Sequence, residues 1–126
     1  MNDHELKRER RKQRALERLG TNTPRCPFCG IDEPLVFELH HVPGRDFDES
    51  NETLVPVCRN CHRILRDWQK DHPPGNSDPP SDPERIAHFL LSLADMFELL
   101  VKRLRQFAEK LFAIDGQRTT GRGDRD

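Results

Sequence analysis

Two pairs of closely spaced cysteines are the residues of this sequence with the most recognisable chemistry. Cys26-Pro-Phe-Cys29 and Cys58-Arg-Asn-Cys61 both have the Cys-x-x-Cys spacing, which brings two thiolates near enough to share one metal ion. Two such pairs predict a single four-cysteine site for structural zinc. A redox-active dithiol is the alternative reading, but two pairs in a reduced protein favour zinc.

Three histidines stand close to these cysteine pairs. His40 and His41 lie near the end of an extended run that Pro43 and Gly44 terminate, and His62 directly follows the second pair. Neighbouring side chains of a regular strand point to opposite faces, so His40 and His41 can share a site only where the strand breaks. An adjacent pair of histidines with a third after a cysteine motif predicts a functional cluster.

Short strands and one helix are predicted to position these residues. The runs 35–42 and 53–57 are rich in apolar and β-branched residues and indicate a hairpin. The run 59–71 has helical spacing, with Ile64 and Leu65 available to pack on the strands.

Metal binding is expected to stabilise this segment. With 33% apolar and 34% charged residues, the chain has little material for a large core. We therefore predict a small α+β domain over residues 24–71, clasped by the four-cysteine zinc site.

The segments on either side are predicted to be mostly helical. Residues 1–23 form a basic arm with a helix over 4–19, in which Arg11 and Arg14 are candidates to contact nucleic-acid phosphates. A solvated helix face is the alternative for this arm. A proline-rich linker is predicted at 72–82, a long amphipathic helix at 83–115 and a disordered tail at 116–126.

The long helix carries one continuous apolar stripe. Its members recur at spacings of four and three residues: Ile86, Leu90, Leu93, Phe97, Leu100, Leu104, Phe107 and Leu111. A stripe of this length exceeds what a small cysteine module can cover. We expect a homodimer through residues 86–111, with folding back along the same chain as the alternative.

The order of these motifs resembles that of the HNH endonuclease family. The segments CPFCG, ELHHVPGR and TLVPVCRNCHRIL follow the family's order and rough spacing, and the similarity covers about residues 26–70. The resemblance implies a ββα-metal fold with two zinc knuckles. It also implies an enzyme that hydrolyses phosphodiester bonds in DNA with the help of a divalent ion.

The resemblance further implies roles for individual histidines. His41, the second of the pair, corresponds to the general base that activates water, whereas His40 and His62 correspond to ligands of a catalytic ion. The expected ion is one of Mg²⁺, Mn²⁺, Ni²⁺ and Zn²⁺. Imidazole titrates near neutral pH and can accept a proton there, and a divalent cation stabilises the charge that phosphate cleavage develops.

Two positions depart from the family's pattern. Thr53 occupies the position from which an asparagine usually orients the base histidine, and Asn51, two residues earlier, is the candidate for that role. Arg66 stands where the family often has another metal-binding histidine. The remaining ligands of the ion are therefore expected to be water, substrate phosphate or a nearby acid such as Asp46 or Asp48.

Composition and charge limit the class of protein and its partners. The formal net charge of −1 neither indicates nor excludes a nucleic-acid partner. Two arginines near the histidines, Arg45 and Arg66, are candidates to bind phosphate. Surface salt bridges are the alternative for both. The start of the chain lacks the apolar stretch of a signal peptide, and no apolar run reaches bilayer length. We expect a cytoplasmic protein, prokaryotic or phage-encoded, without a membrane partner.

Three hypotheses about function follow from these observations. The leading one is a metal-dependent DNA endonuclease. The alternative is a non-catalytic, zinc-dependent adaptor that binds nucleic acid and dimerises through its C-terminal helix. A third takes the long helix as a surface for a protein partner.

Overall fold

The computed structural model describes residues 1–48 and 53–120, with side chains described as far as residue 117. Its regular elements, in chain order, are helix α1 (Asp3–Leu19), strand β1 (Phe37–His41), strand β2 (Leu54–Cys58), helix α2 (Arg59–Gln69) and helix α3 (Asp82–Thr120). Two short 3₁₀ turns, Pro34–Val36 and Arg45–Phe47, flank β1. The described residues therefore form the predicted α+β class, with one two-stranded antiparallel sheet and three α-helices.

Helix α1 has well-defined ends but packs only through its last turn. The Asn2 side chain accepts from the Glu5 amide and the Glu5 side chain accepts from the Asn2 amide, which forms a capping box. Gly20 ends the helix in the left-handed conformation, with φ of 73°. Leu16 and Leu19 are buried, because the sequence of α1 offers few other apolar side chains.

The strands and α2 form the hairpin and helix that the sequence predicts. β1 and β2 are antiparallel, with Phe37 paired to Cys58 and His41 paired to Leu54. Helix α2 begins at the residue after β2 ends. Its Leu65 is fully buried against the sheet, because the helical spacing turns that side chain toward the strands.

The hydrophobic core includes the cysteines themselves. Its buried members are Leu19, Cys26, Phe28, Phe37, Val57, Cys58, Cys61, Leu65 and Leu99. Three of these are thiols, so the cluster of cysteines replaces the apolar side chains that a larger domain would bury there. Leu99 comes from α3, which shows that the long helix folds back onto the cysteine module.

Helix α3 packs on the module mainly through a face other than the apolar stripe. The buried side chains of α3 are His88, Ser92 and Leu99. Most of the predicted stripe is exposed, including Phe97 at 60% and Leu104 at 57%. Folding back along the same chain, the alternative to the expected homodimer, therefore leaves most of the stripe exposed, because the polar residues His88 and Ser92 find partners on the module that the apolar pattern cannot reveal. The homodimer itself stays a prediction.

The end of α3 also differs from the prediction. The helix continues to Thr120, so the predicted disordered tail beginning at residue 116 is wrong for 116–120, and residues 121–126 lie outside the described part of the chain. Gly116 is not among the glycines with positive φ and therefore does not form the left-handed cap that ends a helix. A glycine in a helical conformation costs only about 1 kcal/mol relative to alanine.

Several hydrogen bonds hold the proline-rich linker to α3, among them one from Arg85 Nε to the Pro80 carbonyl at 3.3 Å. His72 Nε2 lies 2.8 Å from Asp95 Oδ2, and the Gly75 amide donates to Glu84 Oε1 at 2.8 Å. These bonds fix the path of the chain between α2 and α3. None of the helices in the described ranges is both long and apolar enough to cross a bilayer.

Candidate metal centre and histidine cleft

The four predicted cysteine ligands converge on one point. The Sγ atoms of Cys26, Cys29, Cys58 and Cys61 all lie within 4.8 Å of one another, and those of Cys29 and Cys58 are 3.5 Å apart. Four thiolates at this spacing form a donor set typical of structural zinc. The cluster is therefore positioned to bind a metal ion such as zinc, as the two motifs predict.

Local backbone geometry aims the thiols inward. Gly30 has φ of 79°, a conformation that glycine adopts without strain, and its amide donates to the Cys26 carbonyl at 2.9 Å. In the second motif, Cys58 precedes the first turn of α2 and its Sγ accepts from the Cys61 amide at 3.4 Å. Amides at a helix N-terminus favour negative charge, so this position suits a thiolate.

A cation would relieve the electrostatic cost of this arrangement. Burial raises the pKa of the Cys61 thiol well above its usual range, and the neighbouring Cys58 and Cys26 raise it further. Burial likewise raises the pKa of Cys29. Clustered, buried thiolates repel one another, whereas a bound dication stabilises all four. The chemistry of the cluster therefore fits a metal ion.

The three candidate histidines line one cleft at the other end of β1. This cleft has a volume of about 980 Å³ and lies between the end of the hairpin, α2 and the linker. His40, His41 and His62 all contribute to its lining. The ring centroids of His40 and His62 are 5.2 Å apart. The fold thus brings together histidines that are separated by more than twenty residues in the sequence.

His40 presents a buried nitrogen that lacks a partner among the described residues. The residue is only 1% exposed, and its Nε2 atom accepts or donates no hydrogen bond there. Burial lowers the pKa of His40 to about 4, and the neighbouring His62, His41 and Arg66 contribute to the decrease. The imidazole is therefore neutral at pH 7, which is the form that binds a metal ion.

His62 is oriented by an acid that the sequence analysis did not single out. Its Nδ1 donates to Glu38 Oε2, and Arg59 Nε donates to Glu38 Oε1 at 3.3 Å. The bond from His62 and the charge of Arg59 hold the pKa of Glu38 below its ordinary value. A carboxylate behind a histidine fixes the ring and leaves its other nitrogen free to coordinate. One signal was visible in the sequence: Glu38 precedes His40 by two positions and shares its strand face.

His41 is oriented by Asp48. The two side chains meet at 3.1 Å between His41 Nδ1 and Asp48 Oδ2, and the Asp48 side chain is 4% exposed. An ionised carboxylate only accepts hydrogen bonds, so the proton of the neutral ring is held on Nδ1 and Nε2 becomes the proton acceptor. Asn51, the sequence-based candidate for orienting His41, lies outside the described residues.

Cationic side chains surround the histidines. Those that line the cleft are Arg45, Arg59, Arg63, Arg66 and Lys70. Of the arginines proposed to contact nucleic acid, Arg45 and Arg66 therefore lie at the cleft. Arg11 and Arg14 are exposed on α1 and do not line it. The lining also contains the acids Glu38, Asp46 and Asp67, so its charged groups carry a modest excess of positive charge.

Helix α3 supports the cleft from behind. Gln69 Nε2 donates to the carbonyls of Val42 (3.2 Å) and His41 (3.5 Å) and to Ser92 Oγ (3.4 Å), joining β1, α2 and α3. The ring of Phe47 stacks on His88 with centroids 4.0 Å apart. These contacts hold the turn that leads to Asp48. No local sequence pattern indicates them, because they join residues from four separate segments.

Comparison with known proteins found no match: no family model, no curated protein and no solved structure is significantly similar to this chain. A proposal about function therefore depends on the motifs and on the geometry of the two sites.

Proposed function

We propose that this protein is an HNH-type endonuclease that hydrolyses phosphodiester bonds in DNA, built on a ββα-metal core with zinc at the four-cysteine cluster. The observation that supports this most strongly is the cleft in which three histidines meet, two of them backed by carboxylates. Paired imidazoles with acid partners suit metal-assisted hydrolysis better than a purely structural role. The HNH resemblance of the same residues supports the same reaction.

His40 and His62 are the proposed ligands of a catalytic divalent ion. The Nε2 of His40, which has no partner among the described residues, and the orientation of His62 by Glu38 fit this role. When bound there, a divalent ion would stabilise the negative charge that develops on the phosphate and on the leaving oxygen. With Arg66 in place of a further histidine, water and substrate phosphate would complete the coordination of the ion, and a nearby acid such as Asp46 could contribute.

His41 is the proposed general base. With Nδ1 donating to Asp48, its Nε2 can take a proton from a water molecule as that water attacks phosphorus. Arg45 and Arg66 are proposed to hold the substrate phosphates, since guanidinium groups bind phosphate oxygens in a bidentate manner. Arg11 and Arg14 on α1 are proposed to contact the DNA backbone outside the cleft.

A plasmid assay tests the proposed activity. Zinc-loaded protein is incubated with supercoiled plasmid, first without a further metal and then with added Mg²⁺, Mn²⁺ or Ni²⁺. We expect nicked and linear DNA to accumulate only after the second metal is added. Binding of DNA with no cleavage under any of these metals would overturn the endonuclease and leave the non-catalytic adaptor.

Replacement of Asp48 tests how the base is oriented. Asp48→Asn keeps the size of the side chain but removes the charge that holds the His41 proton on Nδ1. We expect the rate of plasmid nicking to fall by about 10–100-fold, with DNA affinity unchanged.

Asp67→Asn is the matched control, because Asp67 is an exposed acid that lines the same cleft and has no proposed role. It should retain a rate within about threefold of the wild type, as expected for a surface acid. Equal losses in the two variants would mean that the negative charge of the cleft, and not the bond to His41, matters.

A further inference from the structure

Helix α3 presents two separate faces. The face that packs on the module contains His88, Ser92 and Leu99. At 100° per residue, the apolar seam lies about 130° around the helix from that face. We define the seam as the residues Ile86, Leu90, Leu93, Phe97, Leu100, Leu104, Phe107, Leu111 and Ile114. Packing within the chain leaves most of the seam exposed; Leu93 and Leu100 are half-buried, and Leu100 also packs against the core.

The seam has the pattern of a coiled coil. Its spacings alternate between four and three over four heptads, as the a and d positions do. Beside it, on the side away from the module, runs a line of small residues at every seventh position: Ala87, Ala94, Val101 and Ala108. All four are exposed. Small side chains next to a seam allow a second helix to approach closely.

The exposed apolar area is of the size that a stable dimer buries. Exposures along the seam are 59% for Ile86, 60% for Phe97, 57% for Leu104 and 66% for Leu111. Since a large side chain offers about 150–250 Å², the seam exposes roughly 800 Å² of apolar surface. A standard interface takes about 800 Å² from each partner, and the largest apolar patch of a monomer is about 300–600 Å².

The charges of α3 favour a second copy in the antiparallel orientation. Residues 82–99 contain four acids and one arginine, whereas residues 100–117 contain four cations and two acids. Antiparallel pairing places each acidic half against the basic half of the other chain and also opposes the two helix dipoles. Parallel pairing would place like charges together.

We propose that the seam of α3 is a self-association surface, on which a second copy of this chain packs in an antiparallel coiled coil. The arrangement also accounts for the last turns of α3. There Leu111 is 66% exposed and Phe112 is 77% exposed, and an isolated helix end of this kind is marginally stable in water. The proposal does not depend on the enzymatic activity of the cleft.

The mass of the zinc-loaded full-length protein in sedimentation equilibrium tests the proposal. We expect a dimer at micromolar concentrations. The double variant Phe97→Asp with Leu104→Asp should weaken the dimer by at least about 100-fold, because it buries two charges at the centre of the seam. A monomeric wild type would overturn the proposal.

A matched control distinguishes association through the seam from nonspecific association of exposed apolar side chains. Phe112→Asp introduces the same charge at an exposed apolar site off the seam and should leave the dimer intact. Zinc content should be unchanged in both variants, because the replaced side chains are exposed and outside the core. Helicity by circular dichroism should fall only in the seam variant, in which the last turns of α3 lose their partner. A dimer that survives the seam variant, or one that Phe112→Asp disrupts equally, would overturn the proposal.

Photo-crosslinking tests the orientation. With p-benzoylphenylalanine in place of Leu90, the antiparallel arrangement predicts a crosslink to residues 104–114 of the other copy, identified by mass spectrometry. A crosslink near residue 90 of the other copy would show parallel pairing and contradict the proposed arrangement.

Discussion

The His41→Ala variant is expected to nick plasmid DNA about 10²–10⁴-fold more slowly than the wild type, because this is the usual contribution of a general base. The side chain of His41 lies in the cleft with 19% exposure, and its only side-chain hydrogen bond in the described residues is the one to Asp48. Truncation therefore removes the proton acceptor without opening the core. Single-turnover rates with saturating enzyme give the measurement.

Two controls distinguish loss of the base from damage to the cleft. Added imidazole should restore part of the rate in His41→Ala, since a small base can enter the space left by the ring. His72→Gln is a matched change of a histidine on the same cleft that bonds to Asp95 and has no proposed catalytic role. A wild-type rate in His41→Ala, with no response to imidazole, would exclude His41 as the base.

Replacement of Cys58 by serine is expected to unfold the cysteine module. Cys58 is one of four clustered thiols, it is 4% exposed, and it caps α2. Serine can retain the cap but is a poor ligand for zinc. Zinc binding to structural sites is worth about 10–16 kcal/mol, whereas the stability of a whole domain is about 5–15 kcal/mol. Loss of the ion therefore exceeds what the small core can offset.

The measurements are zinc content per chain and thermal unfolding followed by circular dichroism. Asn60→Ser is the matched control, because Asn60 is an exposed residue inside the same Cys-x-x-Cys motif. This variant should keep one zinc ion and a transition close to that of the wild type. A Cys58→Ser protein that remains folded, cooperative and active would contradict a stabilising metal at this cluster.

The cysteine site and the hairpin could be predicted from the sequence because both depend on short-range chemistry. A Cys-x-x-Cys motif brings two thiols together within one turn, and alternating apolar residues determine which strand face is buried. The antiparallel pairing of β1 with β2 and the start of α2 at Arg59 agree with these expectations. Within each motif and each strand, the residues that carry the signal lie within a few positions of one another.

The arrangement of the histidines could be predicted only in part from the sequence. The adjacency of His40 and His41 indicated a site, but the acids behind the rings did not stand out among the many acids of the chain. Glu38 reaches His62 across 24 positions, and Asp48 reaches His41 only because the intervening turn stacks on α3. Such contacts depend on where separate elements meet, which no local pattern determines.

Helix α3 shows most clearly the division between what the sequence determines and what only the tertiary structure decides. Periodicity correctly predicted a long amphipathic helix, because an α-helix forms from local hydrogen bonds and a repeating apolar pattern. It could not show which face packs within the chain, because burial is decided by the shape and polarity of the opposing surface. Gln69 of α2 donates to Ser92, and Leu99 fills the core beside the cysteines, so most of the apolar seam remains exposed.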